Sequence, residues 1–145
     1  MIWLALAVVV AIVASSAASS TPSSTPAAHD WHGFTLAWLS RTSTGIANDP
    51  PADVLPALSD TAFRLRLLLD EWPAVRVTSV YRCRAVTAAI WTSANPQPTW
   101  DWHEKGHAAD IAGVDFEALF AWSQNNGWVG ADSMIESNHV HLAWS

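Results

Sequence analysis

Residues 15–28 read SSAASSTPSSTPAA and contain almost nothing that can be buried, so whatever folds in this chain begins near His29. Ser, Thr, Pro and Ala in that mixture make a flexible, partly extended tether. What remains is about 115 residues, enough for one modest hydrophobic core and too few for two. Ahead of the tract, Ile2 to Val13 (IWLALAVVVAIV) is an almost unbroken apolar run. About a dozen residues fall short of the roughly 20 that a membrane-spanning helix needs. Small residues follow, and Ser16-Ala17-Ala18 fits the small-x-small cleavage pattern of a secretory signal. No Lys or Arg precedes the apolar run, which leaves the amino terminus as the positive charge ahead of it. The expected organisation is a signal peptide or N-terminal anchor over 1–18, a linker over 19–29 and one domain over 30–145. Either form of the leader exports the domain, to the periplasm, the cell wall or the medium, with residues 2–13 as a membrane tether if they are retained.

A small exported domain often needs staples, but the single cysteine, Cys83, cannot form an internal disulfide. The core must then suffice alone, or a metal takes that role. A lone cysteine is more commonly a small buried apolar residue than a nucleophile. The net charge of -6, with 7 Lys and Arg in all, excludes nucleic acid as a partner. Ten tryptophans are many for this length; most belong to the core, and a few suit the wall of a ligand groove. Nothing in the pattern calls for an obligate protein partner.

Phe34 to Ser40 has apolar residues at helical spacing, and Gly45 to Pro51 is turn chemistry. Leu58, Ala62, Leu65, Leu69 and Trp72 form one helical stripe, with Ser59 or Asp60 as N-cap and Pro73 closing it. Ala74 to Tyr81 alternates and is rich in β-branched residues, which predicts a strand. Arg84 to Thr92 reads as a short helix, Ser93 to Asp101 as a proline-containing loop and His107 to Ala112 as a strand. Asp115 caps a helix that runs to Asn125, and Met134 to Trp144 is strand with an interruption at Ser137-Asn138. The fold class is α+β, a small antiparallel sheet with flanking helices.

Four of the six histidines fall in two clusters, His103 to Asp110 (HEKGHAAD) and Glu136 to His141 (ESNHVH). Catalytic zinc takes three ligands from imidazole nitrogen and carboxylate oxygen and leaves one position open. Two such sites compete. In the first, HEKGH is an HExxH zincin motif, with His103 and His107 on one helical face, Glu104 as base and Asp110 as a further ligand. Its context is poor, because Gly106 lies inside the required helical turn at a cost of about 1 kcal/mol and HAADIA reads as strand. In the second, HEKGHAAD is H-x-x-G-x-A-x-D: Gly106 turns the chain and Asp110 points inward from a strand. The third ligand is then His139 or His141, which share a face because strand side chains alternate.

At these residues the sequence resembles the family of zinc D-Ala-D-Ala carboxypeptidases and L-alanyl-D-glutamate peptidases, whose fold is shared with the hedgehog signalling domain. The likeness runs from about Phe34 to Trp144 and is strongest to the phage and bacterial subgroup. Four motifs carry it in order: I-x-N-x-P-P (Ile46 to Pro51), T-S-G-Y-R (here TSVYR), H-x-x-G-x-A-x-D and a final E-x-V-H-like segment (ESNHVH). The resemblance implies an exported peptidase of peptidoglycan stem peptides that uses a zinc-bound water. It implies His103, Asp110 and His141 as zinc ligands, Glu136 as general base and His139 as a group steadying the oxyanion or the water. Arg82, helped by Ser79, would bind a substrate carboxylate, a task suited to the guanidinium fork. Departures from the family pattern are Val80 for glycine, no asparagine shortly after Arg82, Asp101-Trp102-His103 for S-x-H, and Glu136 one residue closer to His141. In an uninterrupted strand Glu136 would face away from the histidines, so a turn at Ser137-Asn138 must re-aim it, or it pairs with His139. The rivals are the zincin and a non-catalytic zinc-containing wall-binding module. Asp132 is a further carboxylate that reaches the site on some foldings.

Overall fold

The computed structural model describes residues 30–91, 101–130 and 132–144. The expected leader and linker, His29, Trp100 and most of the proline-containing loop lie outside these residues. Among the described residues no helix is long and apolar enough to cross a membrane.

Four short helices and four short strands follow one another: α1 (Leu36–Leu39), α2 (Leu55–Glu71), β1 (Arg76–Ser79), α3 (Arg84–Ile90), β2 (Ala108–Ala112), α4 (Phe116–Asn125), β3 (Met134–Ile135) and β4 (Val140–Ala143). Caps explain several boundaries. The Thr35 hydroxyl accepts from the Trp38 amide to open α1, and the Asp115 carboxylate accepts from the Ala118 amide to open α4. The α2 start differs from the expectation: the helix opens at Leu55, before the Ser59 or Asp60 cap read from sequence. Pro56 sits in its first turn, where a missing N–H costs nothing, so the turn forms without a polar cap. Ser59 instead donates to the Asp30 carbonyl, and Asp60 pairs with Arg64 one turn on.

The strands form one antiparallel sheet in the order β1-β2-β4-β3. What the sequence presented as a single interrupted C-terminal strand is a hairpin, β3 and β4, folded at Ser137-Asn138 and closed by the Glu136 amide on the His139 carbonyl. Strand β2 is buried along its whole length, so it shows no alternation of buried and exposed positions. Its neighbours cover its edges and α2 packs beneath: Leu58, Ala62, Leu65 and Leu68 join Ile111, Val140 and Leu142 in the core. The buried stripe of α2 passes through Leu68, while the expected Leu69 and Trp72 pack only partly against it. Cys83 is likewise only half buried, its thiol beside the Ala47 carbonyl.

Two irregularities prepare the site. Strand β1 bulges between Val77 and Ser79, so Thr78 is extra to the ladder and its hydroxyl bonds the Asp110 carbonyl. Bulges bend a strand and redirect the chain beyond it, here the segment from Val80 to Arg82. Gly106 has φ of 76°, a left-handed conformation open to glycine. A Cβ there would stand 2.9 Å from a Val54 methyl and 3.3 Å from the Leu58 backbone nitrogen, so the loop before β2 lies directly on α2. The Thr61 hydroxyl ties down the Gly106 carbonyl at 2.5 Å.

Candidate metal centre

Asp110 and His141 face each other across the β2–β4 ladder as a register pair, and His141 Nδ1 lies 2.9 Å from Asp110 Oδ1. His103 arrives from the loop before β2, with Nε2 at 3.1 Å from the same oxygen and 3.3 Å from His141 Nδ1. These three donor atoms lie within 4.8 Å of one another and can hold a metal ion. The spacing fits: tetrahedral bonds of roughly 2.0–2.1 Å place donor atoms about 3.3 Å apart. The fit extends to proton placement. His103 Nδ1–H donates to the Val80 carbonyl, so on binding a cation the ring would give up the Nε2 proton it shares with Asp110 and turn that lone pair to the cluster.

His103 is fully buried and Asp110 nearly so. Burial by itself would push the Asp110 carboxyl up. The charge of His103 and hydrogen bonds from His103, His139 and His141 outweigh it and hold the group well below the usual carboxylate range. The protons that these imidazoles share with one carboxylate oxygen are what a cation there would replace.

Beside the three donors stands a second layer. His139 Nε2 is 3.4 Å from Asp110 Oδ1 and 3.6 Å from Glu136 Oε1, and its Nδ1 lies 2.6 Å from Asn138 Oδ1. With an acceptor at each nitrogen, led by the hydrogen bond to Asp110, His139 is more basic than an ordinary histidine. The hairpin turn sets Glu136 beside His139, while the donor group itself contains His141 and not His139. A cleft of about 370 Å³ opens over this group, with Glu136, His139, His141, Arg82 and Asp101 among its polar lining. Ile90, Trp91 and Met134 contribute apolar surface to it, and Trp102 and Asp132 line it as well. Trp102 Nε1 donates to Asp132 Oδ2 at 2.7 Å, so Asp132 belongs to the cleft and not to the donor triad.

Arg82 lines the cleft with Nη2 at 3.7 Å from both Asp101 Oδ2 and Asp110 Oδ2. Ser79 pairs with Asp110 across the β1–β2 ladder but is not among the described residues that line the cleft. His107 turns away from the donors. Residues 102–106 are turns, not the helix that HExxH requires, and the His107 ring packs edge-on to Trp102 at 6.1 Å. Glu104, the base in that motif, pairs with Arg84 at 3.1 Å.

Sequence reading passes over Asp101 as a mere departure from S-x-H. It is buried, its Oδ1 accepts the His103 amide at 2.9 Å and its Oδ2 faces both Thr87 and Arg82. An aspartate accepting from the amide two residues on is ordinary Asx-turn chemistry, and that local signal lies in the sequence. Val80 departs harmlessly: its side chain is core and its carbonyl does the work on His103. Compared with known proteins, the chain matches no family model, no curated protein and no solved structure.

Proposed function

We propose that the chain is an exported zinc peptidase that hydrolyses peptide bonds in the stem peptides of bacterial peptidoglycan, at a D-Ala-D-Ala or an L-Ala-D-Glu bond. The carrying observation is the convergence of a His/Asp/His donor group with a further carboxylate, a further imidazole and an arginine in one cleft. The same reading assigns the fold to the hedgehog-like zinc peptidases, supported by three of the four sequence motifs meeting at that cleft and the fourth, the Ile46 to Pro51 turn, bonding the backbone on either side of Arg82.

His103, Asp110 and His141 would hold the zinc. Zinc in such a site supplies a Lewis acid that activates water and polarises an amide carbonyl near neutral pH. Glu136 is the least buried of the polar groups around the donors, with a side chain 46% exposed, so Oε1 is free to take a proton from the attacking water. The same oxygen returns that proton to the leaving nitrogen. His139 presents Nε2–H beside it, where negative charge develops on the carbonyl oxygen. Arg82, which lines the same cleft, receives a substrate carboxylate, and Ile90, Trp91 and Met134 take apolar parts of the stem. Two histidines and one carboxylate also describe iron(II) oxygenase sites; the Glu136–His139 pair suits proton transfer in hydrolysis instead.

The test is digestion of purified peptidoglycan by the full chain, read as newly released amino groups. We expect release that a chelator abolishes and zinc restores, with one zinc per chain. Glu136→Gln should keep that zinc and lose hydrolysis by about 10²–10⁴-fold. A zinc-loaded protein that binds peptidoglycan and releases nothing would establish the wall-binding module instead.

A further inference from the structure

We infer that Asn48, from the Ile46 to Pro51 turn, is a positioning residue that sets the direction of Arg82. Asn48 is buried, and its amide makes three hydrogen bonds to two other parts of the chain. Nδ2 donates to the Ser40 carbonyl at 2.8 Å and to the Tyr81 carbonyl at 2.9 Å, while Oδ1 accepts from the Cys83 amide at 2.6 Å. Both Tyr81 and Cys83 flank Arg82. The Tyr81 carbonyl belongs to the peptide plane before the Arg82 Cα, and the Cys83 N–H to the plane after it. Peptide planes are rigid, so the backbone has two soft torsions per residue. One planar amide gripping both planes therefore holds φ and ψ of Arg82 together, and with them the direction of its Cα–Cβ bond.

The clamp is anchored at both ends. The Ser40 bond fastens Asn48 to the end of α1, and the Tyr81 amide donates to the Leu39 carbonyl at 3.0 Å. On the cleft side the Arg82 amide meets the His103 carbonyl at 3.4 Å. The segment leaves the sheet at the β1 bulge, so no ladder holds it. Asn48 supplies what the ladder would have supplied. It touches neither the donor atoms nor the cleft, and acts through Arg82.

This inference rests on the proposed peptidase only for its kinetic consequence, so its test carries a readout independent of activity. The order parameters of the Arg82 and Cys83 backbone N–H groups are measured by nitrogen relaxation in the full chain, as wild type, Asn48→Ala, Asn48→Asp and Leu68→Ala. Leu68→Ala is a control that destabilises the core away from the cleft. Wild type and control should stay near the rigid value of about 0.85, and both Asn48 variants should fall below about 0.6. Asn48→Asp retains the acceptor for Cys83 but offers no donor to the two carbonyls, so it should fall as well. In peptidoglycan hydrolysis, Asn48→Ala should lower kcat/KM about tenfold in wild type and less than about twofold in an Arg82→Ala background. Unchanged Arg82 and Cys83 order parameters overturn the inference, as do losses that multiply fully in the double variant. Failure of both Asn48 variants to fold would also overturn it, by making the amide a requirement of the fold as such. A wild type inactive on peptidoglycan would defeat the peptidase reading and leave the relaxation result to decide the clamp.

Discussion

The two halves of the site are held by different physics. Asp110 and His141 stand opposite each other on paired strands, so the ladder register that builds the sheet also sets their separation. His103 and Arg82 stand on connecting segments, where side chains and carbonyls must do the holding one bond at a time: Val80 and Asp101 for His103, Asn48 and Asp101 for Arg82. The strand half is cheap to place and tolerant of change. The loop half is assembled from separate parts of the chain, and so coupled to the stability of the domain.

The sharpest break of this comparison is a pair of ligand deletions. His103→Ala and His141→Ala should each abolish tight metal binding, checked by metal content after dialysis. Their effects on the metal-free fold should differ. His103→Ala empties a fully buried position and leaves the Val80 carbonyl without its donor, at a cost of about 2–4 kcal/mol. The His141 side chain is 13% exposed on the cleft side, and its removal should cost at most about 1 kcal/mol. Urea melts in the presence of a chelator measure both; equal losses would end the distinction between the halves.

Gly106→Ala tests the loop half without touching a ligand. The left-handed φ of 76° and the Val54 contact at 2.9 Å both oppose a methyl group there. We expect about 1–3 kcal/mol of destabilisation and weaker metal binding through displacement of His103, read by chelator competition. Unchanged affinity would show that His103 is held independently of the turn.

The smallest effect concerns His107, the histidine in the loop half that faces away from the donors. Burial pushes its pKa below the ordinary 6.5, despite the opposing charge of Asp60. The unfolded chain then takes up a proton that the folded chain refuses. Its contribution to stability is whole above about pH 6.5 and is lost as pH falls toward the lowered native value. In chelated protein, His107→Gln should flatten the stability profile just below pH 6.5 relative to wild type. An identical slope in the two proteins would show that His107 is solvated.

Several features are legible in the chain because they depend on neighbours a few residues apart. The three- and four-residue spacing of Leu58, Ala62 and Leu65 marks α2, Asp115 caps α4, and Gly106 marks a turn between His103 and Asp110. Period two puts His139 and His141 on one face, and that alternation survives in the hairpin. The start of α2 escapes a reading based on caps because a proline in a first turn leaves no polar cap to see. Tertiary structure decided what depends on contacts between residues tens of positions apart. It chose the distant His141 over the nearby His107 for the donor group, since ladder pairing, and not separation along the chain, brings a side chain to Asp110. It turned Glu136 toward His139 through a hairpin that the sequence showed only as an interruption. It also made a clamp for Arg82 out of Asn48, which the Ile46 to Pro51 motif marks but whose hydrogen bonds across more than thirty residues no local pattern announces.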